Sequence, residues 1–344
     1  MRTLPLFTGL VLAIAPCPGT APAEAPAPAR SAGAEERAEA PARTEEARAS
    51  ETPAPAEATP ATPEAPAPLP DAPLVRVEPP QLSPMTPRVA ATIRAVAERA
   101  ERRDDVFAVM GGSSSVSRAF MACFAGDEWD LAGFADELGA TVAFFRGGNA
   151  GGTSPYSRGR SSEAARVGWS LRNVLGGTPT RIQREVRAIS PRYALLLFGG
   201  NDVEGRNPRV WGRRLETAIG QLVSAGVVPI VGATLPRNDV DFMDAWAQRY
   251  NVVSRGIAEA WGVPYVDYYD AVHRLRGRGL ARDGVHPNVL RDGRRGRGCV
   301  LSDEGLRFGH NVRNLLTLRA LEAAREVVAG EPAPVAEVPP PAGD

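Results

Sequence analysis

The chemically informative residues of this chain are a serine in a glycine-rich turn, a carboxylate three residues ahead of a histidine, and glycine and asparagine in two further loops. Acyl transfer needs a nucleophile, a base to take its proton, a group to orient that base, and donors aimed at the developing oxyanion. Ser113 lies in Gly111-Gly112-Ser113-Ser114-Ser115, where a strand-to-helix turn exposes the hydroxyl and puts the serine N–H at a helix start. Asp283 and His286 are close enough in sequence for one turn to hold the carboxylate on one imidazole nitrogen and turn the other to the serine. Gly152 lets backbone N–H approach without a side chain in the way, and Asn201 supplies a side-chain amide. Alone, each block has an ordinary reading as a turn or a helix cap. Together they make a complete acyl-transfer set.

Composition removes competing chemistries. The 344 residues carry 40 basic and 40 acidic side chains, and every basic one is arginine. Without lysine there is no P-loop lysine and no lysine Schiff base. The balance of charge argues against a dedicated nucleic-acid binder. Three histidines (His273, His286, His310) and three cysteines (Cys17, Cys123, Cys299) lack the short paired spacings of a structural zinc site, so a metal would have to come through carboxylates, and nothing demands one. His273 and His310 read as packing or solvated residues, and the five tryptophans as core or groove rim.

Four kinds of segment follow one another. Residues 1–23 read as an export signal, with Arg2, an apolar stretch too short to span a bilayer, and small residues at Ala21-Pro22-Ala23. Lipid attachment at Cys17 is the alternative, against which Pro16 is a poor neighbour. Residues 24–83 are an Ala/Pro/Glu-rich linker that cannot bury enough apolar surface to order itself, and residues 331–344 form a similar Pro-rich acidic tail. The acidic excess of these flanks leaves residues 84–330 net basic by several charges.

The elements that must position the chemistry lie within 84–330. Short apolar runs alternating with amphipathic stretches predict an α/β domain with a mainly parallel five-stranded sheet. The expected strands are Val106–Met110, Thr141–Phe145, Tyr193–Phe198, Val227–Ala233 and Val263–Tyr268. Helices are expected at Arg88–Arg103, Ser115–Phe124, Glu163–Leu175, Pro208–Ala225, Phe242–Trp261 and Asp303–Val328. Ligands in such sheets sit at the carboxyl ends of the strands, and the Ser113, Gly152 and Asn201 loops each follow a predicted strand.

In this order the blocks resemble the SGNH hydrolases, also called the GDSL esterases, from about Val106 to Leu318. The resemblance implies a three-layer α/β/α sandwich of flavodoxin-like type without metal or organic cofactor, with Ser113 as nucleophile, His286 as base and Asp283 as its orienter. Gly152 and Asn201 would join the Ser113 N–H in the oxyanion hole, with Gly151 the alternative to Gly152. The first block departs from the family's Gly-Asp-Ser, since Gly112 stands where the aspartate is usual. Val-Ser-Arg-Ala-Phe-Met-Ala-Cys and Gly-Leu-Arg-Phe-Gly-His-Asn-Val-Arg-Asn look like a secreted bacterial subgroup.

With the signal removed, Cys123 and Cys299 remain as an even pair, which in an exported protein predicts a disulfide; two unpaired buried thiols are the alternative. The expected function is a secreted or periplasmic serine esterase that removes a short acyl group, acetyl above all, from a carbohydrate or cell-envelope glycan. An O-acyltransferase on the same fold and a non-catalytic envelope glycan-binding module are the competing readings. No nucleic-acid partner and no transmembrane span are expected.

Overall fold

The computed structural model describes residues 81–330 apart from Arg158 and Arg160. The expected signal segment, Cys17, most of the linker and the C-terminal tail lie outside the described residues.

Four parallel strands form the sheet in chain order: β1 (Arg103–Gly111), β2 (Pro191–Leu197), β3 (Val228–Gly232) and β4 (Tyr265–Val266). β2 is buried along its whole length, as a continuous apolar run flanked by strands and covered by helices should be. Its register pairs Phe107 with Tyr193 and Met110 with Leu196 on one side, and Tyr193 with Val228 on the other. Further along lie α1 (Pro87–Ala97), α2 (Ser113–Val116), α3 (Ala135–Gly147), α4 (Leu171–Leu175), α5 (Arg181–Ile189), α6 (Pro208–Ser224), α7 (Met243–Trp261), α8 (Tyr268–His273) and α9 (Gly309–Ala329). α1, α3, α8 and α9 pack together as one layer, and α4 to α7 as the other, which completes the α/β/α sandwich. A two-stranded ribbon, β5 (Arg291–Asp292) with β6 (Arg295–Gly296), stands outside the sheet.

Helix boundaries follow local chemistry. Thr86 accepts from the Val89 N–H ahead of Pro87 in α1, Asn207 caps α6 ahead of Pro208, and Thr180 with Gln183 forms a reciprocal cap on α5.

The predicted strand Thr141–Phe145 is a correction: these residues lie inside α3. Leu138, Thr141, Val142 and Phe145 are its buried positions, the three- and four-residue spacing of a helix face, with Asp136 and Glu137 in the first turn and Arg146 in the last. The sheet therefore has four strands among the described residues, and the free edge of β1 carries only an isolated parallel bridge from Gly111 to Ala165. Expected helix 163–175 gives way to that bridge and to the short α4, because Gly168 turns the chain at φ +78°. Expected helix 115–124 shrinks to α2 and a 3₁₀ turn at Ala122–Ala125. The folded part also starts earlier than expected: the Ser83 N–H donates to Tyr265 O at 2.9 Å, and Gln81 O accepts from the Asp267 N–H at 2.7 Å.

Candidate active site

Three chain crossings converge at the carboxyl end of the sheet. β1 ends at Gly111, Gly112 caps α2, and Ser113 becomes the first residue of that helix. The Asn201 loop follows β2, and Asp283 to His286 lie beyond α8. His286 Nε2 is 2.7 Å from Ser113 Oγ, and His286 Nδ1 is 2.8 Å from Asp283 Oδ2. Asp283 Oδ1 accepts from the N–H groups of Val285 and His286, both at 3.0 Å. These contacts hold the Asp283 carboxylate well below the usual carboxylate range, at about 2, against a desolvation that pushes the other way. An ionised carboxylate on Nδ1 fixes the imidazole tautomer with its lone pair on Nε2, toward the serine hydroxyl.

The base loop is itself clamped. Gly284 takes φ +68°, and a side chain there would run into the Asn238 and Asp239 backbone, whose Asn238 N–H donates to Gly284 O at 2.7 Å. Arg237 of the same loop holds Asp239 with two hydrogen bonds and reaches Gly200 O at 2.6 Å. The Pro236–Asp239 segment thus ties the Asn201 loop to the His286 loop.

Asn201 lines the cleft, and its Nδ2 donates to Trp169 O at 2.9 Å. Gly112 faces the same two groups: a Cβ there would lie 3.1 Å from Trp169 O and 3.2 Å from Asn201 Nδ2. Asp202 braces this loop by accepting from the N–H groups of Leu171 and Gly199. Burial pushes its carboxyl up to about 6, with those hydrogen bonds opposing the rise.

Gly152 is not brought to the cleft. Its N–H donates to Asn149 Oδ1 at 2.6 Å within its own loop, and neither it nor Gly151 lines the cavity beside Ser113. The error follows from the misread strand: with Thr141–Phe145 helical, the loop after it does not emerge at the sheet's carboxyl end. The backbone beside Gly112 is instead that of Arg166 to Trp169, following the Ala165 bridge. Trp169, in the Gly168-Trp169-Ser170 stretch directly ahead of α4, is the residue of this segment that lines the cleft.

Sequence reading also missed the polar face of α9. Asn311 Nδ2 donates to Arg297 O and Val300 O, and Asn314 Nδ2 to Ala119 O and Gly298 O, all at 2.8 to 2.9 Å. Between these two, the buried Arg313 stacks over Phe120 and donates to Ser114 O at 3.3 Å, which steadies the turn that carries the serine. Burial lowers its guanidinium to about 10. His310 is buried and donates through its backbone N–H to Asn288 O, while burial and the nearby Arg313 and His286 hold its imidazole well below its usual range. His273 stacks on Tyr269, away from these groups. Cys123 and Cys299 form a disulfide, so the expected bridge is present. Among the described residues no cluster of three or more His, Cys, Asp or Glu side chains offers a metal site, and no helix is long and apolar enough to cross a membrane.

The cavity beside Ser113 measures about 50 Å³ and is lined by Gly112, Trp169, Asn201, Thr234 and Arg313 among others.

Residues 134–290 match the profile of the GDSL-like Lipase/Acylhydrolase family. No curated protein matches the chain significantly. Among solved structures, an α/β hydrolase enzyme from the metagenome of Lake Arreo, Spain, is 18% identical, covering 63% of this chain and 94% of its own, at a TM-score of 0.42. A GDSL-like lipase from Bacteroides thetaiotaomicron is 16% identical over 69% of this chain and 99% of its own, at 0.41. An acetylxylan esterase from Geobacillus stearothermophilus is 16% identical over 63% of this chain and 93% of its own, at 0.42.

Proposed function

We propose that residues 134–290, which match the GDSL-like Lipase/Acylhydrolase profile, are part of a serine ester hydrolase, and that the chain is an exported esterase removing acetyl groups from a carbohydrate or cell-envelope glycan. The observation that carries the reading is the unbroken relay from Asp283 through His286 to Ser113, at 2.8 and 2.7 Å. A glycan-binding module would have no use for a serine hydroxyl so placed.

In the proposed reaction Ser113 Oγ attacks the ester carbonyl carbon as its proton passes to His286 Nε2. The carbonyl oxygen, now an anion, accepts from the Ser113 N–H at the start of α2 and from the Asn201 amide. Collapse breaks the bond to the sugar oxygen, which leaves with the proton from Nε2. Water then attacks the acyl-serine carbon, giving its proton to Nε2; Ser113 Oγ departs and recovers that proton.

The small size of the cavity beside Ser113, about 50 Å³, supports acetyl over longer acyl groups. Export is supported by the disulfide, a bond of oxidising compartments. A fluorophosphonate probe is expected to label Ser113 in the wild-type chain and not in His286→Ala, which keeps the wild-type melting temperature and loses about 10³-fold or more in kcat on p-nitrophenyl acetate. Ester hydrolysis retained in that variant would remove the mechanism, and p-nitrophenyl octanoate turned over as fast as the acetate would remove the acetyl preference.

A further inference from the structure

Beside the serine cleft runs a second, more open groove of about 610 Å³, and Trp169 lines both. Its other walls include Arg166 and Arg172, both exposed, and Arg181 and Arg184, both half-buried. Among the described residues the carboxylate that pairs with any of them is Glu163, whose Oε2 lies 3.9 Å from both Arg181 and Arg184, at the limit of ion pairing. Arg166 and Arg172 have no carboxylate partner among the described residues. The groove therefore gathers four guanidinium groups around one weakly engaged acid. This surplus sits within a chain segment in which 34 arginines face 26 acids between Ser83 and Gly330.

We propose that this groove holds the chain of an acidic polysaccharide, a carboxylate-bearing glycan, whose esterified sugar enters the cleft at Ser113. The inference rests on the esterase reading and names its substrate class. Three features select a charged glycan. Guanidinium groups pair with carboxylates through two parallel hydrogen bonds, so a row of them fits a polymer with one carboxylate for each sugar. Trp169 stands where groove and cleft meet, with Arg181 4.5 Å over one face of its ring, and a fixed indole is a platform for the apolar face of a sugar. Apart from Trp169 no large apolar side chain lines the groove, which leaves nothing to hold a lipid chain.

The test measures binding of full-length Ser113→Ala, which needs no turnover, to an oligogalacturonate, to a neutral xylo-oligosaccharide of equal length and to a single-stranded DNA of equal charge. The oligogalacturonate is expected to bind about tenfold or more tighter than either, and to weaken steeply with salt. Adding Arg166→Glu and Arg172→Glu is expected to cost about tenfold in Kd, whereas Arg99→Glu, exposed near the amino end of β1, changes it by less than about twofold. Equal affinity for the neutral oligosaccharide or for DNA overturns the proposal, as does an equal loss from Arg99→Glu. Because the probe carries no ester, a chain that binds it but resists fluorophosphonate refutes the esterase reading alone, and one that labels but does not bind refutes only the groove.

Discussion

At the scale of single residues, Gly112 decides how tightly the oxyanion side of the cleft closes. The absence of a side chain lets Trp169 O and the Asn201 amide approach, and a Cβ at 3.1 and 3.2 Å from them forces a shift of a few tenths of an ångström. Gly112→Ala is therefore expected to lower kcat on a small acetyl ester about three- to tenfold, in line with the sensitivity of catalysis to misplacement. Gly112→Asp, which restores the residue usual in the family, adds a negative charge beside the forming oxyanion and should lower kcat further. Steady-state kinetics on both variants decide the matter, and an Asp variant faster than wild type would show that the loop is built for the acid. Asp202, at the root of the same loop, makes a prediction about pH. Its folded-state value of about 6 lies above the ordinary 3.8, so the folded chain binds the proton more tightly than the unfolded one. The contribution to stability is complete below about pH 4 and declines as pH rises through 6, by roughly 3 kcal/mol in all. Urea denaturation at pH 4 and pH 7 should show that decline in the wild type and its absence in Asp202→Asn; parallel behaviour of the two would mean that the carboxyl is ionised throughout.

Elements join these residues across long distances in sequence. The Cys123–Cys299 bond closes a loop of 176 residues, tying the segment after the nucleophile turn to the segment after the base loop. A loop of that length removes about 5 kcal/mol of denatured-state freedom in the chain-entropy picture, and losses of about 2–5 kcal/mol are usual on removal. Cys123→Ser with Cys299→Ser is expected to lose stability in that range by denaturant titration; a change within 0.5 kcal/mol, about the scatter of surface substitutions, would show that Asn311 and Asn314 of α9 hold the two segments unaided. The same distances explain what was legible beforehand. β1, β2 and β3 announce themselves as buried apolar runs, and Ser113, Asp283 and His286 by side-chain chemistry that few other residue types share. Thr141–Phe145 misleads because Thr, Val and Phe favour strands on their own, and only Leu138 one turn earlier reveals the helical face. That one misreading carried the expected oxyanion glycine to Gly152, which lies away from the cleft. The positions of Asn311, Arg313 and Asn314 depend on where α9 packs against loops 11 to nearly 200 residues away, and no local pattern encodes that.

For the molecule as a whole, the sheet separates chemistry from its weakest margin. Ser113, Asn201 and His286 gather at the carboxyl ends of the strands, and β2 at the sheet's centre is fully buried. β4, by contrast, is two residues long, and its free edge is covered by Gln81 to Ser83 through the Leu82–Val266 bridge and the bonds to Tyr265 O and from the Asp267 N–H. An uncovered strand edge exposes unpaired backbone groups and invites association with other chains. A chain cut to residues 84–330 loses two such hydrogen bonds and the half-buried Leu82, and should be less stable than one cut to 81–330 by about 1–3 kcal/mol. It should also self-associate at concentrations where the longer chain stays monodisperse. Both chains are nonetheless expected to react with fluorophosphonate at Ser113 at the same rate under folding conditions, because none of the lost contacts touches the serine, the base or the loops that clamp them. Denaturant titration and light scattering read the first two effects, and labelling kinetics the third. A shorter chain as stable as the longer one would show that β4 needs no cover, and one that folds but reacts more slowly would show that this edge helps to set the geometry of the cleft.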